Sequence, residues 1–369
     1  MSTRNLKKIA VLGSGVMGSR IAAHFAGIGL PVLLLDILPK DISPDAKPAE
    51  RNKIVNDALA AALKSNPSPV YDKNVIKKIS TGNFTDNMKD IASADWIIEV
   101  VVERLDIKQS VFAEVEKYRR PGTLVTSNTS GIPIHLMAEG RSDDFKKHFC
   151  GTHFFNPPRY LRLMEIIPTP FTDPEVVSFL MHYGDLYLGK TTVLCKDTPA
   201  FIANRIGVFG MMAIMNSMEK LSLSIDEIDA LTGPVIGRPK SATFRTADVV
   251  GIDTLVKVAK GVHDNCPDDE AKEIFAIPAW LNKMIENNWL GDKTGQGFFK
   301  KIKTADGAKD IQVLNLQTME YEARKKPKFA TLEAAKPIED LASRLKALSA
   351  GQDKAGEFYR RNFAGMFAY

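Results

Sequence analysis

Lys8-Ile9-Ala-Val-Leu12-Gly13-Ser-Gly15-Val-Met-Gly18 is the stretch on which the reading of the fold turns. Ile9 to Leu12 is a short apolar run with the texture of a buried strand, and residues 17–28 have helical periodicity. Three glycines sit between and within these pieces. Gly13 allows a tight turn, Gly15 lets the backbone approach a pyrophosphate, and Gly18 allows the helix to pack closely on the strand. The free amides at the helix start then face the phosphates. A glycine pattern of this kind also suits a purely structural turn. Asp36 shifts the balance, because it ends the next strand at the distance where a carboxylate grips the adenosine ribose of a dinucleotide. Its charge repels the 2′-phosphate of NADP, and Ile37 and Leu38 follow without an Arg or Lys, so the expected cofactor is NAD.

Outward from this core, strand-like runs at 9–12, 32–35, 96–102, 124–126 and 148–154 alternate with helix-period segments at 17–28, 51–63 and 105–118. That alternation predicts an α/β fold with a Rossmann-type, doubly wound, mostly parallel sheet. A helix over 174–188 and a strand over 191–195 close the domain. After Asp197-Thr198-Pro199 the texture changes to a Met-rich helical run over 200–220, with Thr198 as its N-cap and Pro199 at the first helical position. Further helices over 226–231 and 254–263 make the second domain all-helical, ending at the glycine-punctuated turn from Gly291 to Gly297. Arg324-Lys-Lys-Pro-Lys328 reads as a polar linker, and residues 333–350 are helical again. The expected division is 1–197 for NAD, 198–300 for the helical domain, and 301–369 for a linker and the start of a second, truncated helical domain. An aromatic-rich amphipathic helix begins near Phe358 and stops at Tyr369. This predicts that the chain is part of a longer polypeptide, with Phe363, Phe367 and Tyr369 forming an apolar patch in isolation.

Composition narrows the class. The 369 residues are 44% hydrophobic and 25% charged, ordinary for a globular protein. No run approaches the roughly 18–20 apolar residues needed for a membrane span. The apolar stretch 96–102 is broken by Glu99, and the one after Lys7 and Lys8 is cut by Gly13 with no cleavage site, so it is a strand and not a signal peptide. The expected location is cytoplasmic. Cys150, Cys195 and Cys266 lie far apart without a CxxC pair, which argues against a disulfide framework or a metal site. A formal charge of +5 suits an anionic substrate, and solvated lysines explain it equally well. There is no basic-aromatic pattern for nucleic acid.

Dinucleotide-dependent oxidation of an alcohol requires a base for the hydroxyl proton, and histidine is the usual choice. Of the six, His24 lies within the first helix, His182 and His263 sit in helical segments, and His135 and His148 have no distinctive context. His153 ends a strand, where open α/β sheets place their ligands, and leads into the proline-fixed loop Phe154-Phe-Asn-Pro-Pro158.

At this point the residues resemble a known family. His153-Phe-Phe-Asn-Pro157 with Leu163-Met-Glu165-Ile-Ile, preceded by Ser127-Asn-Thr-Ser130 and followed by Cys195-Lys-Asp-Thr-Pro-Ala-Phe-Ile-Ala-Asn204-Arg, is similar to the signature of the 3-hydroxyacyl-CoA dehydrogenases. The resemblance runs from residue 7 to about 300. It implies reversible, NAD-dependent oxidation of (3S)-3-hydroxyacyl-CoA thioesters in fatty-acid β-oxidation. It further implies that His153 is the base, that Glu165 orients it, and that Ser130 and Asn204 bond the reacting oxygen and the substrate carbonyl. Glu103, Lys108 and Asn128 match positions near the nicotinamide ribose and the cofactor. Without the family, Ser130 reads as a cap, Asn204 as a helix-surface residue, and Glu103 with Lys108 as a solvated pair. Asn204 falls in the helical domain and His153 in the sheet domain, so the implied site lies between them.

Residues 237–251 and the segment after 300 resemble the fused bacterial β-oxidation proteins, in which a dehydrogenase is joined to an enoyl-CoA hydratase. A homodimer through the helical domains is the assembly implied. The segment from Ser65 to Tyr71 departs from the family where CoA-binding residues usually lie, and Lys53 and Lys64 before it read as CoA-phosphate partners or as solvated lysines. Two other readings stay open: a non-catalytic NAD-binding relative, and a dehydrogenase for a 3-hydroxy acid not carried on CoA.

Overall fold

Strand β1 (Ile9–Leu12) is buried along its whole length, which only a central strand covered on both faces requires. The computed structural model describes residues 4–303 and 307–369. It divides into two compact units, Met1–Ile202 and Ala203–Tyr369.

The first unit is built on β1, β2 (Val32–Asp36), β3 (Ile79–Asn83), β4 (Trp96–Glu99), β5 (Leu124–Ser127), β6 (Phe149–Phe154), β7 (Leu163–Pro168) and β8 (Thr191–Leu194). They form one sheet in the order β3-β2-β1-β4-β5-β6-β7-β8. All neighbours are parallel except β6 and β7. The alternation of side chains explains its two hydrophobic layers. Ile9, Val11, Val32, Leu34, Trp96 and Ile98 pack with Ile21 and Phe25 of the Val16–Gly27 helix. Ala10, Leu12, Leu33, Leu35 and Ile97 point the other way, onto Phe112 and Val115 of the Leu105–Tyr118 helix. The doubly wound, mostly parallel sheet is the fold that the glycine stretch and the alternation predicted.

Several details differ from expectation. The strand expected over 96–102 ends at Glu99. β3 had no sequence signal, because Ile-Ser-Thr-Gly-Asn lacks an apolar run and buries only Gly82 and Asn83. Thr198 does not cap a helix beginning at Pro199. Ala200 and Phe201 have φ of 63° and 51°, outside the helical region, and the helix starts at Ala203.

The second unit holds the Ala203–Leu221 helix, followed by Ile225–Thr232, Phe244–Val250, Ile252–Asn265 and Ala279–Glu286. From Ala203 to Thr294 its named elements are all helices, as expected of the domain ending near residue 300. β9 (Phe299–Lys303), β10 (Lys309–Asn315) and β11 (Glu320–Ala323) form an antiparallel sheet where a linker was expected. Residues 301–369, expected to be separate, group with 203–300. Arg324 is tied down rather than free, donating from Nε to buried Asp226 at 2.8 Å. The closing helix, Lys354–Ala368, packs on Ala203–Leu221: Met366 lies against Gly210, and Tyr369 stacks on Phe209 at 3.9 Å. Of the expected apolar patch, Phe367 is 88% exposed, while Tyr369 is occupied by that stacking. No helix among the described residues is long and apolar enough to cross a membrane.

Candidate active site

The glycine turn leaves β1 and enters the Val16–Gly27 helix with each glycine doing a different job. Gly13 has φ of 103°, and a Cβ there would lie 2.6 Å from the Val100 carbonyl oxygen. A Cβ on Gly18 would fall 1.8 Å from the Gly13 carbonyl oxygen, so no other residue lets this helix sit on its turn. At Gly15 an added Cβ meets nothing within 4 Å, so backbone faces open space. Gly15 is also the N-cap, and no side chain caps the helix there. These are the features a pyrophosphate requires: uncapped amides, an approachable backbone and no acidic residue in the first turn.

Asp36 stands at the carboxyl end of β2, beside that turn. Its Oδ2 accepts from the Ser14 amide at 2.6 Å and from the Ser14 hydroxyl at 2.5 Å, and its Oδ1 accepts from Ile37 N at 2.7 Å. The carboxylate is therefore locked against the glycine turn, where it can meet a ribose hydroxyl. The expected cofactor residues Gly13, Gly15, Gly18 and Asp36 lie together at the ends of β1 and β2, Gly15 exposed and Gly13 and Gly18 buried beneath it, and the residues fit NAD.

The adjoining strand ends carry a buried ionic network. Lys108 is 1% exposed and Glu99 0%. Lys108 Nζ donates to Glu99 Oε1 at 2.7 Å, and Glu103 Oε2 lies 3.3 Å away. Glu99 also accepts from Ser127 Oγ at 2.5 Å and from Val101 N at 2.6 Å. Glu103 accepts from Thr129 Oγ1 at 2.5 Å and from the Ser130 amide at 3.1 Å. Burial pushes the Glu99 carboxyl above its usual range against the pull of Lys108. Burial also opposes ionisation of Glu103, yet Lys108 and the bonds from Thr129 and Ser130 outweigh it and hold Glu103 low. The solvated-pair reading of Glu103 and Lys108 is thus wrong. Lys108 is inside, and its main partner is Glu99, which the sequence reading treated only as an interruption of an apolar run. A lone carboxylate closing an otherwise apolar strand was the available signal.

His153 and Glu165 face each other across β6 and β7, because these neighbours are antiparallel and pair at those two residues. Both are buried, with His153 Nδ1 2.7 Å from Glu165 Oε2. Glu165 Oε1 accepts from Ile202 N at 3.1 Å. The ring is flanked by Phe155 and Phe201, at centroid distances of 4.4 and 5.7 Å. With Nδ1 committed to the carboxylate, the neutral ring carries its proton there and leaves the Nε2 lone pair as the base. Asn128 accepts from Phe154 N at 2.9 Å through its Oδ1, and its own amide donates to the Glu99 carbonyl at 2.8 Å. It thus joins the histidine strand to the ionic network.

Four of the other five histidines are bonded elsewhere. His24 is held neutral, pushed down to about 4 by burial and by Lys190, with Nε2 3.1 Å from the Leu188 carbonyl. His135 is 2.6 Å from Asp197, and His148 Nδ1 is 2.8 Å from the Asp144 carbonyl. His263 lies 3.1 Å from Asp264, at an exposed helix end. Asn204 is the second residue of the Ala203–Leu221 helix, in the second unit.

Similarity to known proteins agrees with this geometry. Residues 8–198 match the NAD binding domain of 3-hydroxyacyl-CoA dehydrogenase, and residues 201–301 match its C-terminal domain. A probable 3-hydroxyacyl-CoA dehydrogenase of Bacillus subtilis is 48% identical over 96% of this chain, and the chain spans only 45% of that relative. One of Deinococcus radiodurans is 46% identical over 81% of the chain and 84% of its own length. Among solved structures, 3-hydroxybutyryl-CoA dehydrogenase from Escherichia coli aligns with a TM-score of 0.63 at 26% identity, covering 84% of this chain and 67% of that one. The matched domains span both the glycine turn with Asp36 and the His153–Glu165 pair, and on these grounds the chain belongs to the 3-hydroxyacyl-CoA dehydrogenase family.

Proposed function

We propose that the protein oxidises (3S)-3-hydroxyacyl-CoA thioesters to 3-oxoacyl-CoA, reversibly and with NAD, as a step of fatty-acid oxidation. The observation that carries this reading is the buried His153–Glu165 pair with Nε2 left over, on the same strand ends as the dinucleotide turn. NAD, when bound, supplies the acceptor for the hydride that leaves the substrate carbon. His153 Nε2 takes the hydroxyl proton, so the alcohol loses one hydride and one proton in all. Glu165 stays ionised, keeps the ring in the productive tautomer and stabilises the imidazolium as it forms. Gly13, Gly15 and Gly18 hold the pyrophosphate and Asp36 the adenosine ribose. Asn128, Glu103 and Lys108 shape the neighbouring wall, and Ser130 and Asn204 bond the reacting oxygen and the thioester carbonyl. A longer parent protein with further activities is part of the reading, supported by Rickettsia relatives named as a putative fatty acid oxidation complex trifunctional enzyme, of which this chain spans 44% and 43%. A homodimer through the second unit and a cytoplasmic location complete the reading.

The test is to mix the chain with NADH and acetoacetyl-CoA and follow loss of NADH. Turnover is expected, and His153→Ala is expected to lower kcat by roughly 10²–10⁴-fold, the usual worth of a general base. The variant should stay folded, losing far more activity than stability. Wild-type binding of NADH without turnover of either acetoacetyl-CoA or a longer 3-oxoacyl-CoA would sink the reading and favour a non-catalytic NAD-binding relative.

A further inference from the structure

Lys190 is a buried amine, 5% exposed, that the proton transfer described above does not use. It lies between the Pro174–Leu186 helix and β8, just after Gly189, whose φ of 62° makes the turn. Its Nζ donates to the carbonyl oxygens of Pro158 and Leu161, the latter at 2.9 Å, and sits 5.9 Å from the centre of the Phe154 ring. Those carbonyls belong to residues 155–162, the connection that leaves β6 after His153 and Phe154 and enters β7 ahead of Glu165. We infer that Lys190 is a positioning residue whose ammonium ties down this connection and so holds His153 and Glu165 in register for proton transfer.

The surroundings make little sense for a lysine without such a task. His24 faces it from the Val16–Gly27 helix, bonded to the Leu188 carbonyl and kept neutral. Arg20, on the same helix, donates to Asn156 Oδ1 at 3.1 Å. Arg159, on the connection itself, donates to the Ser68 carbonyl at 2.8 Å. The acidic neighbour on the adjoining helix, Asp185, is spent on the Thr192 amide and hydroxyl, both at 2.9 Å, and no carboxylate pairs with Lys190 among the described residues. Burying a cation without an anion is costly, and an uncharged side chain of equal length would fill the space more cheaply. What only the ammonium supplies is charge-strengthened donation to two carbonyls at once. Burial moves its pKa down to about 8, so the tie weakens as pH rises through that value.

This inference rests on the base role of His153, and the experiment separates the two. Hydrogen exchange of the Tyr160 and Leu161 amides, both bonded to the Pro157 carbonyl at 3.0 Å, reads the connection directly. It is measured in the whole chain for wild type, Lys190→Met and Lys190→Arg, alongside kcat with acetoacetyl-CoA and NADH. In wild type, protection of these amides should fall about tenfold as pH passes from about 7 to about 9, and kcat should fall with it. Lys190→Met should lack the protection at every pH and lose about tenfold or more in kcat, with the NADH Kd unchanged. Lys190→Arg stays charged, and it should keep protection up to the highest pH, with a kcat that falls less steeply than that of wild type because only the proton given by His153 is then lost. Wild-type protection and kcat that are both flat across this range, or a Met variant equal to wild type in both, overturn the inference. If wild type shows the protection pattern without turnover, the proposed reaction fails and the tie stands. Should the Met variant not fold, the wild-type pH series and the Arg variant decide.

Discussion

Two buried charged clusters lie on neighbouring strand ends of the same sheet, and they differ in what they leave over. Lys108 has three N–H bonds to give, and its Nζ is met by Glu99 at 2.7 Å, Glu103 at 3.3 Å and the Val101 carbonyl at 3.4 Å. That cluster is closed on itself. His153 gives one ring nitrogen to Glu165 at 2.7 Å, and among the described residues its other ring nitrogen bonds nothing. Burial, charge and a carboxylate partner are common to both, so none of these marks a reacting group by itself. The unspent atom does. The closed cluster fixes the Ser130 amide and the Asn128 backbone, and the open pair is the one proposed for the chemistry.

The comparison is broken most directly by opening the closed cluster. Lys108→Met removes the ammonium and leaves Glu99 buried without its counter-charge, which should cost roughly 3–5 kcal/mol of stability. The measurement is urea unfolding of the variant beside Lys108→Met with Glu99→Leu, where removing both partners should recover much of the loss. His153→Ala is the mirror image, costing far more in activity than in stability, although it too leaves a carboxylate, Glu165, without a partner. A Lys108→Met protein of wild-type stability would show that the cluster is not structural. Loss of turnover in that same stable protein would move Lys108 into the chemistry.

His24 sharpens the comparison, being a partly buried histidine with a polar partner but no carboxylate. Its pKa is about 4 in the folded protein, against 6.5 for a free side chain, with burial the chief cause. Between these values the unfolded chain binds the proton and the folded one does not, so stability falls as pH drops from 6.5 to about 4. Below that window both states are protonated and the loss stops growing. The shift amounts to at most about 3 kcal/mol. His24→Gln can still donate to the Leu188 carbonyl and does not titrate. Its unfolding free energy should therefore be flatter across the window than that of wild type. Equal slopes in the two proteins would mean that His24 is charged when folded, and that its neighbours are not as described.

Much of this was legible beforehand, for reasons that differ by residue. Gly13, Gly18 and Asp36 could be read because steric demand and strand-end position confine the residue types allowed there. His153 was visible as a histidine at a strand end before a double proline. Glu165 was not visible in that way. It is twelve residues away in sequence and meets His153 only because β7 runs antiparallel in a parallel sheet, and no alternation pattern announces that. The resemblance to the family named it. Ala200 and Phe201 were misread as helix because their left-handed backbone comes from tertiary packing. Phe201 is buried beside His153, and the next amide is spent on Glu165. Glu99 and Lys190 escaped for a related cause. Their roles depend on partners far along the chain, such as Ser127 for Glu99 and the Pro158 and Leu161 carbonyls for Lys190.

Asp36 stands between the open pair and the closed cluster, and it gives the smallest expected effect. Three donors already reach it, two from Ser14 and one from Ile37, yet two carboxylate oxygens can accept about four bonds. The remaining capacity is what a ribose hydroxyl would use. Asp36→Asn keeps the shape but gives up the charge, and a hydrogen bond to a charged group is worth about 1.5–3 kcal/mol. Some of that is shared with Ser14, so the NAD Kd should rise about tenfold, equivalent to roughly 1.4 kcal/mol, while kcat at saturating NAD is kept. Discrimination against NADP should shrink as well, since the repulsion of its 2′-phosphate is removed. If instead kcat and stability fall together and the Kd for NAD does not move, Asp36 is fully spent on the glycine turn. It would then belong with Lys108, among the residues that build the site without touching what binds there.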